Sequence, residues 1–97
     1  MSQITKQQIT EMLETVIDPE LGVDIWTMGL VYGVDIPKDK EVHITMTYTT
    51  PFCPYGEQLK EEVEDSMKIL GFDKVLIDVT FDPPWAPPKE LRDAMGV

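Results

Sequence analysis

The sequence predicts an α+β fold, a single small domain in which helices pack on a mixed three-stranded sheet. Two long segments repeat apolar residues every three or four positions, as amphipathic helices do, and three shorter segments alternate apolar and polar residues, as strands do. The 97 residues can build one modest core but not two, so residues 1–97 are expected to form one domain. Helices on one face of a small sheet bury these stripes most simply, and the predicted order is α-β-β-α-β-α.

The first helix is predicted to begin after Thr5 and to end at Asp18. Thr5 and Gln8 have the spacing of a capping box, in which each side chain accepts a hydrogen bond from the other residue's backbone amide. The apolar residues that follow share one helical face; they are Ile9, Met12, Leu13, Val16 and Ile17. Pro19 disfavours the helical conformation in the residue before it, so residues 18–22 are expected to form a turn.

Two strands are predicted next, because residues 30–36 and 42–48 alternate apolar and polar side chains. The polar residues between them predict a short turn, and the pair is therefore expected to be a β-hairpin with one face exposed to water. The same alternation predicts a third strand over residues 75–81. A long helix between the second and third strands would provide the crossover that a parallel pair needs.

That long helix is predicted to start at Pro54, because proline needs no partner for its missing N–H in a first helical turn. Its apolar face consists of Leu59, Val63, Met67 and Leu70. Gly71 is a favourable residue after its last turn. This assignment places Cys53 at or next to the N-cap. A last short helix is predicted to begin near Pro88 and to present Leu91, Ala94 and Met95 to the rest of the domain.

Composition excludes several classes of function. The formal net charge of −10 argues against binding to nucleic acid, because a phosphate backbone repels such a surface. No apolar run approaches the roughly 20 residues that cross a membrane, and the N-terminus lacks the features of a secretory signal. One cysteine cannot form an internal disulfide, so a cytoplasmic protein with a free thiol is expected.

Cys53 is the first candidate functional residue. A helix N-terminus has unpaired amides and a partial positive charge, so a thiol there should have a pKa below the roughly 8.5 of an ordinary cysteine. Ser, Thr, Asp or Asn would cap a helix better, which favours a role for the sulfur over that of a small buried hydrophobe.

Self-contained chemistry at Cys53 is poorly supported by the sequence. A dithiol enzyme needs a second cysteine, and a structural zinc site needs more ligands than Cys53 and His43. Six strand residues separate His43 from the segment before the thiol by about 20 Å, too far for a catalytic pair. A single external ligand or a transient attachment point fits better.

Two other segments are candidates for the same site. Residues 18–24 place Asp18, Glu20 and Asp24 in or next to a turn. Residues 81–85 end the third strand with Asp82, two prolines and Trp85, whose indole could cover the core or anchor a partner protein. Each segment lies at the end of a helix or strand, where loops carry function, so we expect them to gather with Cys53 at one end of the sheet.

Three stretches together resemble the metal–sulfur cluster biosynthesis family, which includes the SufT and PaaD proteins. They are DPELGVDI at residues 18–25, TYTTPFCP at residues 47–54 and FDPPW at residues 81–85. The resemblance implies an α+β domain, SufT-like, that assists iron–sulfur cluster assembly, carriage or delivery to apo-proteins, and not an enzyme. It implies that Cys53 is the key cysteine, and it matches Asp18, Glu20, Asp24, Thr49 and Thr50 to family motif positions.

The resemblance further implies a transient iron–sulfur cluster, no permanently bound cofactor, and scaffold, carrier and apo-client proteins as partners. One cysteine cannot supply the four thiolates of a stable cluster, so Cys53 would be a shared ligand, with the others from a second subunit of a homodimer, a small thiol or a partner. Two alternatives stay open: a thiol-dependent enzyme with Cys53 as nucleophile, and an adaptor that binds assembly proteins through Trp85 without touching a cluster.

Overall fold

The computed structural model describes residues 4–19, 21–50, 52 and 54–86. Its elements are α1 (Lys6–Leu13), β1 (Ile17–Asp18), β2 (Val23–Asp24), β3 (Val31–Lys38), β4 (Glu41–Met46), α2 (Gly56–Leu70) and β5 (Lys74–Val79). β1 and β2 form a small antiparallel sheet, and the other strands form a three-stranded sheet in the order β3-β4-β5. The predicted α+β class and mixed sheet are confirmed, whereas the helix predicted near Pro88 lies outside the described residues.

The register of the larger sheet determines which loops meet. β4 pairs antiparallel with β3 and parallel with β5, so that Met46 lies opposite Val31 and beside Val79. The start of β3 and the ends of β4 and β5 therefore lie at one end of the sheet, the Met46 end. The turn between β3 and β4, with Lys40 at a positive φ of 63°, lies at the other end, the Lys40 end.

The core lies between the larger sheet and the two helices. α2 buries Leu59, Val63 and Met67, three of the four residues predicted for its apolar face. The buried apolar residues form one cluster; they are Ile9, Leu13, Val16, Ile25, Met28, Leu30, Val42, Ile44, Met46, Leu59, Val63, Met67 and Phe72. On β4 buried and partly exposed residues alternate, as expected for a strand with one face on the core. None of the helices in the described ranges has the length and apolar character needed to cross a bilayer.

The first helix begins as predicted and ends early. The Thr5 amide donates to Gln8 Oε1 at 2.8 Å and the Gln8 amide donates to Thr5 Oγ1 at 3.1 Å, which completes the capping box. The prediction that the helix continues to Asp18 is wrong, because α1 ends at Leu13. The hydroxyl of Thr15 donates to the Met12 carbonyl at 2.6 Å, and this local bond competes with continuation of the helix.

The pairing of β3 with β4 is irregular at two places, between Val31 and Gly33 and between Asp35 and Lys38. The register of β3 against β4 shifts between Val31 and Gly33, as in a β-bulge. Val31 therefore packs against the core, whereas the predicted alternation gave that place to Tyr32. The Tyr32 hydroxyl instead donates to the Pro83 carbonyl at 2.9 Å.

Candidate functional site

The candidate site occupies the Met46 end of the sheet, because the strands deliver the predicted segments there. Residues 47–55 follow β4, residues 80–85 follow β5, and residues 25–30 lead into β3. Backbone bonds continue the pairing past the strands: the Thr47 amide donates to the Leu30 carbonyl at 2.8 Å, and the Thr80 amide donates to the Met46 carbonyl at 2.9 Å. The predicted gathering around Cys53 depends on distances to the thiol, which lies outside the described residues, and stays a prediction.

Residues 18–24 form a hairpin as well as the predicted turn. Ile17 pairs with Asp24 and Asp18 pairs with Val23, and the Gly22 amide donates to the Asp18 carbonyl at 2.8 Å. Gly22 has a φ of 69°, a conformation that glycine adopts without strain. The hairpin makes Ile17 part of a strand and leaves it 46% exposed, whereas the sequence analysis placed it on the buried helical face.

The predicted acidic residues of this hairpin have different environments. Asp18 is only 1% exposed. Asp24 is half-buried, and its Oδ2 accepts a hydrogen bond from the Thr27 amide at 2.8 Å, which holds the turn that leads to β3. Glu20 lies outside the described residues. Asp24 therefore has a defined structural task, while the functional roles of all three acids stay predictions.

Trp85 is held by the body of the protein. Its indole Nε1 donates to the Met28 carbonyl at 2.6 Å, and the half-buried ring packs against the core. The residue thus covers one end of the core, which was one of the two roles expected for it. The other expected role, as an anchor for a partner, stays a prediction. Asp82, in the same segment, is exposed, and its backbone amide donates to Thr80 Oγ1 at 3.2 Å.

The segment around Cys53 begins half-buried and reaches the surface. Thr49 and Thr50 are half-buried, and Thr50 Oγ1 accepts a hydrogen bond from the Phe52 amide at 3.3 Å. Phe52 is 89% exposed, and Pro54 is exposed as well. The described residues on both sides of the cysteine are therefore open to solvent.

The predicted start of the second helix is wrong. α2 begins at Gly56 with Tyr55 as its N-cap, so Pro54 lies in the preceding turn and Cys53 is not the N-cap. Proline is favoured in turns as well as in first helical turns, and the sequence pattern does not distinguish the two. The N-cap argument for a lowered pKa of the thiol no longer holds. The Tyr55 side chain does not cap the helix, so α2 has no side-chain cap hydrogen bond from the described residues.

Tyr48 connects two of the predicted segments and was missed by the sequence analysis as a site residue. Its ring lies 6.1 Å from that of Phe81, centroid to centroid, with the planes tilted by 59°. It also covers Gly56 so closely that a Cβ added there would come within 2.7 Å of Tyr48 Cε2. A glycine that directly follows the cysteine segment was the available signal for such a close approach.

Within the described ranges, no three His, Cys, Asp or Glu residues are arranged to hold a metal ion. His43 lies on β4, where its Nε2 is 2.7 Å from Glu41 Oε2, near the Lys40 end of the sheet. His43 thus pairs with Glu41 near one end of β4, whereas the other end of β4 leads to Cys53. The described carboxylates and imidazole do not supply a ready-made ligand set.

Comparison with known proteins identifies the family. Residues 6–79 match the family described as iron–sulfur cluster assembly protein. The chain belongs to this family. A family relative in Bacillus subtilis, a Fe-S protein maturation auxiliary factor, is 41% identical over 97% of the chain and 93% of its own length. A solved structure from Thermotoga maritima, a conserved hypothetical protein, superposes with a TM-score of 0.86 at 41% identity and covers all of both chains.

A third relative is a much longer protein than this chain. It is the iron–sulfur cluster carrier protein of Synechocystis, which is 33% identical over 97% of the chain, whereas the match spans 26% of the carrier's own length. In that protein, therefore, a segment similar to nearly all of this chain is part of a much longer polypeptide.

Proposed function

We propose that the protein is a maturation factor for iron–sulfur proteins that helps to carry clusters to apo-proteins, with Cys53 as a transient ligand. Membership of the iron–sulfur cluster assembly family carries the proposal. The Bacillus subtilis relative, a maturation auxiliary factor, and the Synechocystis carrier support maturation and carriage respectively. The cluster is cargo in this account and not a resident cofactor.

An incomplete ligand set suits such a role. The chain has one cysteine, and the described residues contain no group of three metal-ligating side chains. A stable cluster is usually held by four thiolates, so the remaining ligands would come from a second subunit, a small thiol or a partner protein. Because its ligands would be shared between Cys53 and other molecules, the cluster would be released by ligand exchange.

The surroundings of Cys53 support an exposed anionic ligand. Phe52 and Pro54 are exposed, which leaves room for a partner. The first backbone amides of α2 begin at Gly56, and no described side chain caps them, so they contribute partial positive charge at the Met46 end. That charge would favour an anionic cluster at this end of the molecule.

Transfer is a ligand exchange in this proposal. A thiolate of the acceptor forms a bond to a cluster iron as the bond from that iron to the Cys53 sulfur breaks. The acceptor thiol gives up its proton to form that thiolate, and the proton passes to the released Cys53 thiolate or to solvent. The ligands other than Cys53 are exchanged for acceptor thiolates in the same way. The oxidation state of the iron does not change, so the step needs no redox partner.

A second candidate function is an adaptor that binds assembly proteins without touching the cluster. Phe52 and Tyr55, which flank Cys53 in the sequence, are exposed aromatic residues. Their exposure favours a protein contact at this end of the molecule. Cluster binding separates the two functions, because only a carrier needs the sulfur.

Anaerobic reconstitution with ferrous iron, sulfide and glutathione tests the proposal. Visible absorption should show a bound cluster on the wild-type protein and none on Cys53→Ser. The matched control is Cys53→Ser/Ser66→Cys, which keeps one thiol per chain but moves it to the middle of α2. Equal cluster binding by this control would indicate adventitious binding, and binding by Cys53→Ser itself would contradict a role for the sulfur.

A further inference from the structure

Three aromatic side chains are exposed in the segments that follow β4 and β5 at the Met46 end. Phe52 is 89% exposed, and Tyr55 and Phe81 are each 39% exposed. Tyr48 connects these two segments, because its ring contacts Phe81 and lies against Gly56, the neighbour of Tyr55. The residues Phe52, Tyr55 and Phe81 are named the aromatic surface here.

Such a cluster is not explained by folding alone. Single apolar side chains are common on protein surfaces, but aromatic residues are enriched where proteins meet. Among the described residues, Trp26 is the one further aromatic side chain that is more than about a third exposed. Aromatic anchors contribute a large part of the binding energy in many interfaces. The nearly complete exposure of Phe52 leaves its ring available for such a contact.

Acidic side chains lie beside the aromatic surface, and most of the described lysines lie at the other end of the molecule together with Asp39, Glu41 and Asp73. Glu57, in the first turn of α2, and Asp82 are exposed next to members of the aromatic surface. Four of the six lysines in the described ranges lie instead at the Lys40 end; they are Lys38, Lys40, Lys68 and Lys74. With a net charge of −10 on the whole chain, the aromatic surface lies in a negative field.

We propose that the aromatic surface docks a segment of a partner protein that carries apolar side chains flanked by Lys or Arg. Apolar contact with Phe52 and Tyr55 would supply affinity, and the nearby carboxylates would select and steer a basic partner. The inference rests on the proposed function, since docking here brings the ligands of the partner close to Cys53. It adds the chemistry of the partner and the residues that recognise it.

A second surface on the molecule makes the inference testable. Thr15, Val16 and Ile17 line a groove of about 390 Å³ against α2, together with Glu62, Asp65, Ser66 and Ile69. This groove is also apolar and acidic, and Ile69 is 77% exposed. A basic apolar probe could therefore bind at either place, and the resonances of Phe52 and Ile69 distinguish the two.

The probe is a synthetic amphipathic peptide of leucine and lysine, about four helical turns long. Titrated into the ¹⁵N-labelled protein, it should shift the amide resonances of Phe52, Tyr55, Glu57 and Asp82. Phe52→Ala should weaken binding by at least about fivefold, as expected for an anchor residue. Ile69→Ala is the matched control, an exposed apolar truncation on α2, and should leave affinity unchanged. A peptide with Glu in place of Lys should not bind.

Three results would overturn the inference: no binding at millimolar peptide, shifts confined to the groove around Ile69, or equal losses from Phe52→Ala and Ile69→Ala. Peptide binding needs no cluster, so Cys53→Ser should bind as the wild type does. If the peptide binds at the aromatic surface and Cys53→Ser still acquires and delivers clusters, the proposed function fails and the docking inference stands. If Cys53→Ser loses clusters while the peptide binds elsewhere, the docking inference fails and the proposed function stands.

Discussion

Gly56→Ala should destabilise the protein, although alanine is the better helix former. The added Cβ would lie 2.7 Å from Tyr48 Cε2 and 2.9 Å from Cζ, whereas carbon atoms in contact are normally about 3.5–4.0 Å apart. The ring would have to move by about 1 Å. It is restrained by its contact with Phe81 and by packing against the core.

The net effect follows from two opposing terms. Overpacking of this kind typically costs about 1–3 kcal/mol, while replacing glycine by alanine in a helix gains at most about 1 kcal/mol. We therefore expect a net loss of about 1–2 kcal/mol in the free energy of unfolding. For a domain of this size that loss lowers Tm by roughly 5–15 °C. Urea denaturation and thermal unfolding followed by circular dichroism measure both quantities.

A double-mutant cycle with Tyr48→Ala isolates the contact. Without the ring, Gly56→Ala should be neutral or stabilising, which corresponds to a coupling of about 1 kcal/mol or more. Gly33→Ala is the matched control, since its added Cβ would meet nothing closer than Thr45 Cβ at 3.8 Å. This substitution should not destabilise the protein. The reasoning is refuted if Gly56→Ala stabilises the protein that retains Tyr48, or if its cost is the same in both backgrounds.

Two further substitutions test other parts of the fold by the same unfolding measurements. Thr5→Ala removes the capping box with Gln8 and should cost about 1 kcal/mol; an unchanged midpoint would show that the cap is not needed. Trp85→Phe keeps a ring but loses the 2.6 Å hydrogen bond to the Met28 carbonyl and should cost about 1–2 kcal/mol, whereas Trp85→Ala should cost about 3 kcal/mol or more. Equal stability of the wild type and both Trp85 variants would contradict a structural role for the indole.

The parts of the fold predicted correctly depend on short-range signals. The capping box needs only the spacing of Thr5 and Gln8, and both hydrogen bonds form. The buried face of β4 and the buried stripe of α2 follow directly from the periods of two and about three and a half residues. In each case the residues that carry the signal lie within one element of the chain.

Some of the parts that the sequence predicted wrongly or did not reveal depend on pairings between separate segments. Ile17 fits a helical face as well as a strand, and it lies in β1 because it pairs with Asp24. The Ile25 amide extends this pairing by donating to the Val16 carbonyl at 2.9 Å. The contact between Tyr48 and Gly56 and the bond from Trp85 to Met28 also join separate segments. Residue spacing cannot reveal such pairs, because folding alone brings them together.

The roles of the candidate site residues stay predictions, and part of the predicted geometry is wrong. At the Met46 end, the register of the larger sheet brings together the ends of β4 and β5, which lead to two of the predicted segments, and the loop that follows the third segment. The sequence nominated all three segments. It did not reveal that the helix starts at Gly56, because Pro54 fits both a turn and a first helical turn. The role of Cys53 therefore rests on the family and on its exposed neighbours.

Cluster transfer tests that role most directly. Wild-type protein and Cys53→Ser, each incubated anaerobically with iron, sulfide and glutathione, are mixed with a purified apo-enzyme whose activity requires a cluster. The recovery of activity is followed in time, with glutathione alone as the background. We predict that the wild-type protein accelerates recovery and that Cys53→Ser falls to the background rate while unfolding at the same temperature as the wild type. Recovery at the wild-type rate with a folded Cys53→Ser protein would contradict the carrier function.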